Sequence, residues 1–207
     1  MFIQEFTSKL NEEIKNKLNS GFFKEDYFIS WDYNYQSEVH SRIQAIITKV
    51  CYDLGFDVEV ERGFNYEDNS KTVRFKPDIV IYKDNKLFAF IEYESTNSSD
   101  ARFYDNERPT SDLRCLLKYT QSNPNNLPIH WIIISTLPKN EVISTKWKSY
   151  EYNKSNPEFK KIVSSPFNYY FPKYVEETKK ILDKIKTDSK IYLLNLDKNN
   201  ITIEKEF

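Results

Sequence analysis

Glycine is nearly absent from this chain of 207 residues, with 3 copies in all, and that scarcity excludes the glycine-rich loops that cradle nucleotide phosphates. Cysteine is as scarce, with 2 copies, too few for a zinc or iron–sulfur centre. Cys51 and Cys115 each fall among apolar neighbours on a predicted helix, where a thiol packs as a small hydrophobe. No stretch approaches the roughly 18 apolar residues of a membrane-spanning helix. Met1 to Phe6 lacks the basic start and apolar run of a secretory signal, so the expected location is cytoplasmic. An excess of one charge is missing too: 30 Lys plus Arg face 31 Asp plus Glu, for a net charge of -1. No global field then attracts nucleic acid or an anionic membrane, and any such contact must be local. Of the 2 histidines, His40 reads as a partly exposed helix residue, with a phosphate contact as the alternative, and His130, before Trp131, as structural.

What the chain has in quantity is aromatic material, 15 Tyr and 15 Phe within a hydrophobic content of 39%. That is enough for one sizeable core, or for a core of about 140 residues with an appendage. The most informative stretch runs from Thr72 to Ser95. Val73, Phe75, Ile79 and Ile81 recur at every second residue, as do Leu87, Ala89, Ile91 and Tyr93, with Asp84-Asn85 between the two runs as turn chemistry. The pattern predicts a hairpin. On its second strand Phe88, Phe90, Glu92 and Glu94 share a face, which spaces the two acids about 6.6 Å apart along the strand, and Asp78 can lie opposite them. Like charges at that spacing repel unless something positive sits between them, a role that suits a divalent metal.

The sequence Pro77-Asp78, thirteen further residues, then Glu92-Tyr93-Glu94 resembles the active-site signature of the PD-(D/E)xK nuclease superfamily. Where that signature usually ends in Lys this chain has Glu94, a variant similar to the E-x-E of some type II restriction enzymes. The order of elements between Ser37 and Leu137 points the same way. Ser37 can cap a helix with Val39, Ile43, Ile46, Ile47, Val50 and Leu54 on its inner face and Gly55 at its stop. Phe56, Val58 and Val60 alternate as a strand, Gly63 to Ser70 reads as a polar loop, and the hairpin follows. Pro109, Thr110 and Ser111 introduce a helix with Leu113, Leu116, Leu117 and Thr120 on its buried side. Pro128 to Leu137 is then a central strand buried on both faces. Helix, strand, strand, strand, helix, strand is the core order (αβββαβ) of the restriction endonuclease-like fold. The expected class is α/β, a central mixed sheet flanked by helices.

Around that core, residues 1–36 read as an amphipathic helix (Phe2, Phe6, Leu10, Ile14, Leu18) followed by an aromatic arm, residues 37–138 as the nuclease-like core, and residues 139–207 as a C-terminal extension packed on it. From Lys139 to Lys190 the extension carries twelve Lys against seven acidic residues, interleaved with aromatic rings. Such a mixture serves either nucleic-acid contact or the packing of a small appendage. Pro172 opens a helix with Leu182 among its anchors, and Ile191 to Leu196 with Ile201 to Ile203 form a closing hairpin.

The resemblance implies a metal-dependent nuclease acting on DNA, with Mg²⁺ (or Mn²⁺) held by Asp78, Glu92 and Glu94. Glu38 is a further candidate because many relatives carry an acid on the first core helix, although an acid in the first helical turn is also explained by the helix dipole. Lys118 is the candidate for the missing cation, because some relatives supply it from the helix after the third strand; the alternative is a solvated lysine. Arg74 and Lys76 beside Asp78, and Ser95 and Thr96 after the acids, are candidates for phosphate contact. A homodimer is expected, since one small site cuts one strand and the aromatic terminal segments offer apolar surface. Two other classes fit the same residues: an accessory DNA-binding protein with a weakened site, and an assembly protein. A paired-carboxylate glycosidase fits the residue types alone.

Overall fold

The computed structural model of the chain describes residues 2–21, 33–94, 118–135, 176, 179–180, 182–184, 188–197 and 200–206. Among these, the side chains at 33–37, 94, 135, 193, 197, 204 and 205 are not described. The fold is α/β, with a six-stranded mixed sheet and helices packed on it.

Helix α1 (Phe2–Asn19) buries Ile3, Phe6, Leu10 and Ile14, the stripe that the three-to-four spacing predicts. It ends at Gly21, whose φ of 71° suits a residue without a Cβ. Helix α2 (Tyr33–Asp53) buries Val39, Ile43, Ile46, Ile47 and Val50. Its start lies one turn before the Ser37 cap expected from the sequence, because nothing between Tyr33 and Gln36 breaks a helix: there is no Pro and no Gly. Its end is as expected. Phe56 N–H donates to Cys51 O and Gly55 N–H to Tyr52 O, with Gly55 at a φ of 82°, a paired closure that satisfies the last carbonyls. Cys51 is fully buried on α2, and burial pushes its thiol up to about 12; it packs and does not react.

The main sheet runs in the order β1 (Asp57–Val60), β4 (Ile79–Lys83), β5 (Lys86–Glu94), β6 (His130–Ser135), β7 (Lys190–Asp197) and β8 (Asn200–Glu206). β1, β4 and β5 are mutually antiparallel, β5, β6 and β7 are parallel, and β8 returns antiparallel to β7. β6 sits between β5 and β7 with Ile132 and Ile134 packed on the α1–α2 side, and Trp131 and Ile133 on the other. An apolar run without alternation is what a strand covered on both faces requires. Asp84 and Asn85 link β4 to β5 at φ values of 52° and 59°, a two-residue turn whose twist matches the strands it joins.

Three expectations are corrected. The run from Thr72 to Ile81 is two strands: β3 (Lys71–Phe75) pairs with β2 (Phe64–Asp68) in a separate two-stranded sheet, and only β4 belongs with β5. Pro77 has no N–H to give a ladder, so the chain changes sheet at Lys76-Pro77-Asp78. The segment Gly63 to Ser70, expected as a loop, contains β2. Asn69 and Ser70 turn it into β3 at φ values of 50° and 62°, a tight hairpin without the usual Gly. Finally, Phe88 does not share a face with Phe90. The register slips between Ile81 and Tyr82, leaving Phe88 without a partner across the ladder and turning it into the α1–α2 cluster, while Phe90 packs against Trp131 on the opposite face.

The closing hairpin β7–β8 continues the main sheet through its parallel pairing with β6. A boundary at residue 138 therefore does not separate it from the core. Asn11 of α1 ties the hairpin down, its Nδ2 donating to Ile201 O at 3.1 Å and its Oδ1 accepting Ile201 N–H. On the far face, residues 118–122 form a helical turn in which Tyr119 and Thr120 are buried. The expected start of that helix at Thr110 lies outside the described residues, as do Cys115 and nearly all of the Lys139 to Lys186 stretch. Residues 176, 179–180 and 182–184 are helical, with Leu182 buried.

His130 is a core residue, stacked on Phe2 at 5.2 Å and edged by Phe88 at 4.9 Å. Burial, with the nearby Lys190 charge, lowers its pKa to about 4. Between that value and the ordinary value of 6.5, the unfolded chain holds a proton that the folded chain refuses, so stability falls as pH drops through this window. His130→Phe should flatten that dependence, read as urea midpoints at pH 7 and pH 4.5. An unchanged slope would mean that the imidazole takes up its proton without unfolding.

Candidate functional site

Asp78 opens β4, and Glu92 lies opposite it near the end of β5, one rung beyond the Ile79 and Ile91 pair. The two acids clasp each other's strand. Asp78 N–H donates to Glu92 Oε2 at 3.2 Å, and Tyr93 N–H donates to Asp78 Oδ2 at 2.8 Å. Glu92 is only 7% exposed, and a carboxylate so far from water needs such donors. The main-chain oxygen of Asp78 is fixed as well, accepting Glu61 N–H at 2.9 Å and Gln44 Nε2 at 3.1 Å. Glu61, just past β1, holds a φ of 52° that non-glycine residues seldom adopt, and its carboxylate pairs with Lys76 at 2.5 Å.

The third member of this cluster is His40, a helix residue by its place in the sequence. His40 Nε2 lies 3.3 Å from Asp78 Oδ2, and its ring tilts against Tyr93 at 5.4 Å. Burial alone would lower its pKa, but the Asp78 carboxylate beside it, helped by Glu61 and the main chain of Tyr93, raises it above the ordinary value. His40 and Gln44 are four residues apart, so one edge of α2 delivers both to Asp78.

The other candidates are distributed differently. Glu38 pairs with Arg42 one turn on and is half exposed. Because α2 begins at Tyr33, Glu38 is not in the first turn, and the dipole explanation no longer applies. Lys118 pairs with Asp68 at 2.8 Å, which ties the 118–122 turn to the end of β2. Arg74 lays its guanidinium over Gly63, where a Cβ would stand in its way, and Lys76 is held by Glu61. Glu94 closes β5 opposite Ser135 of β6; its side chain, and all of Ser95 and Thr96, lie outside the described residues.

Among the described residues no three His, Cys, Asp or Glu side chains form a ready cage for an ion. The donor types nevertheless suit a hard divalent cation: two opposed carboxylates at a strand end, with Glu94 two residues further along the same strand. Among the described residues no helix is long and apolar enough to cross a membrane. No protein-family model, curated protein or solved structure matches the chain.

Proposed function

We propose that the protein is a metal-dependent nuclease of the restriction endonuclease-like class, hydrolysing phosphodiester bonds of DNA. The observation that carries this reading is the clasp between Asp78, just before β4, and Glu92, near the end of β5. It stands within a helix, antiparallel strands and a parallel fourth strand, the run α2, β1, β4, β5, β6. The β2–β3 hairpin is an insertion in that run.

Asp78, Glu92 and Glu94 would hold Mg²⁺ or Mn²⁺. Such an ion lowers the pKa of a water and neutralises charge on the transferring phosphate. The protein's own part is placement. Gln44 and Glu61 fix the Asp78 main chain, and Tyr93 N–H fixes its carboxylate, so the acid needs no reordering when a cation arrives. Glu94 stands where the superfamily has Lys and can accept a proton from the attacking water. Paired action on a duplex calls for two copies of the chain, which light scattering at micromolar concentration reads as a dimer mass.

Supercoiled plasmid incubated with Mg²⁺ or Mn²⁺ should be nicked, with the product absent in chelator. Wild-type protein that leaves supercoiled, single-stranded and branched DNA intact in both metals would overturn nuclease activity. A second reading, a DNA-binding accessory protein without cleavage, draws on Glu94 in place of Lys and on the engagement of Lys118 with Asp68. Binding with steep salt dependence and no cut would select it.

A further inference from the structure

We propose that the open edge of β1 takes up an extended segment of a partner protein by strand addition, a segment in which Lys or Arg alternates with an apolar residue. This surface is not part of the Asp78 and Glu92 centre and does not depend on the nuclease reading of it.

Among the described residues the main sheet has two edges, β1 and β8, and an edge strand presents unpaired main-chain groups to any strand that reaches it. The β8 edge is closed at Ile201, where the Asn11 side chain bonds both the N–H and the carbonyl. β1 is guarded far less. Just past its end Glu61 N–H donates to Asp78 O, and inward and outward groups alternate along an antiparallel strand. Asp57 and Glu59 therefore turn their main chain toward β4, while Val58 and Val60 turn theirs outward. Tyr52 OH reaches Val58 O at 3.4 Å, a long bond that an incoming N–H can replace. Tyr52 and Val60 are 56% and 48% exposed.

A cleft of about 590 Å³ opens beside this edge, lined by Tyr52, Tyr82, Asp57, Glu59 and Arg62, a size that suits a bound side chain and its neighbours. Glu59 accepts Tyr82 OH at 3.0 Å and two bonds from Arg62 at 2.8 and 2.9 Å. Asp57, exposed at the start of the strand, has no partner among the described residues. Carboxylates beside two phenol rings favour an ammonium or guanidinium group.

The same charges exclude a second copy of β1. Antiparallel pairing must match outward residues with outward residues. Setting Val58 against Val60 places Glu59 opposite Glu59 and Asp57 opposite Glu61, and the neighbouring registers place Glu59 opposite Asp57 or Glu61. Like charges directly opposite destabilise a pair of strands. A basic strand reverses the sign: its cations face Asp57 and Glu59, and its apolar residues fall on the side of Val58 and Val60. Main-chain bonds supply the attachment and the alternating side chains select the partner.

The test is fluorescence anisotropy of a labelled peptide alternating lysine with valine, titrated with the full chain, beside a peptide alternating glutamate with valine. The lysine peptide should bind and the glutamate peptide should not. Val60→Pro removes an outward N–H without touching the β4 ladder, and should weaken binding at least about 10-fold. Asp57→Lys should weaken it at least about threefold. If Val60→Pro fails to fold, N-methylation of the lysine peptide, which removes the same class of bond from the other side, must produce the loss. Undiminished binding to Val60→Pro or by the methylated peptide would assign the attraction to charge alone and overturn strand addition. Binding of both peptides, or of neither, overturns the basic partner. A dimer mass that Val60→Pro reduces to a monomer would give this edge to a second copy and overturn the proposal as well.

Discussion

Replacing Asp78 with asparagine is expected to cut DNA nicking by roughly 1,000-fold, about 4 kcal/mol of lost transition-state stabilisation. The reason for asparagine over alanine is the double duty of this side chain. Asp78 Oδ2 accepts Tyr93 N–H at 2.8 Å, a bond in the β4–β5 ladder region that alanine removes together with the charge. Asparagine keeps an oxygen for Tyr93 while giving up the carboxylate that an ion requires. If the clasp serves only the fold, Asp78→Asn should leave both the urea midpoint and the nicking rate near wild type. If it serves catalysis, the midpoint stays and the rate collapses. Asp78→Ala should lower both, because a partly buried N–H without an acceptor costs about 1–3 kcal/mol. Rates on supercoiled DNA, beside far-ultraviolet dichroism and urea titrations of the same preparations, separate these outcomes. Full nicking by Asp78→Asn would remove the site from consideration.

The parts of this fold written locally in the sequence were legible. The α1 stripe, the α2 core face with its Gly55 stop, the Asp84-Asn85 turn and the doubly buried β6 each follow from a periodicity or a single turn residue. What escaped depended on partners distant in sequence. Whether Thr72 to Phe75 joins β4 or turns to β2 is decided by the pairing of Phe64 with Phe75, and alternation looks the same in either sheet. The bulge that flips Phe88 leaves no mark in composition, because both faces accept a phenylalanine. Local pattern says which residues are buried and leaves open which face buries them.

The candidate site divides in the same way. Asp78 and Glu92 were legible as neighbours because a hairpin brings together residues at similar distances from its turn, and the bulge at Phe88 then sets them directly opposite. His40 was not, since its meeting with Asp78 depends on how α2 lies across the sheet edge, which no spacing encodes. Glu38 was a candidate because relatives carry an acid on the first core helix; its alternative, the helix dipole, needed a start at Ser37 and lapses once the helix starts at Tyr33, and Glu38 pairs with Arg42 instead. Lys118 carries the right charge on the right element, but its described partner is Asp68, at the end of β2, whose polar residues look like a loop in the sequence.

The largest effect on stability is expected from Trp131→Ala. Trp131 is 1% exposed in the core on the sheet face opposite α1 and α2, stacked on Phe75 at 5.4 Å and 19° and edge-on to Phe90 at 5.2 Å and 85°. It joins the six-stranded sheet to the β2–β3 sheet through Phe75, so its removal opens a cavity between two layers that cannot close around one another. The expected cost is about 3–5 kcal/mol, a large share of the roughly 5–15 kcal/mol that holds a domain of this size together. Among the described residues Trp131 Nε1 has no hydrogen-bond partner. Trp131→Phe therefore gives up some packing but also sheds a buried donor, and these two changes oppose each other. Its cost should stay below about 1.5 kcal/mol. Urea unfolding of the three proteins measures both steps. A Trp131→Phe loss as large as that of alanine would mean that the indole N–H is bonded, and that the layer contact depends on that bond as well as on the ring.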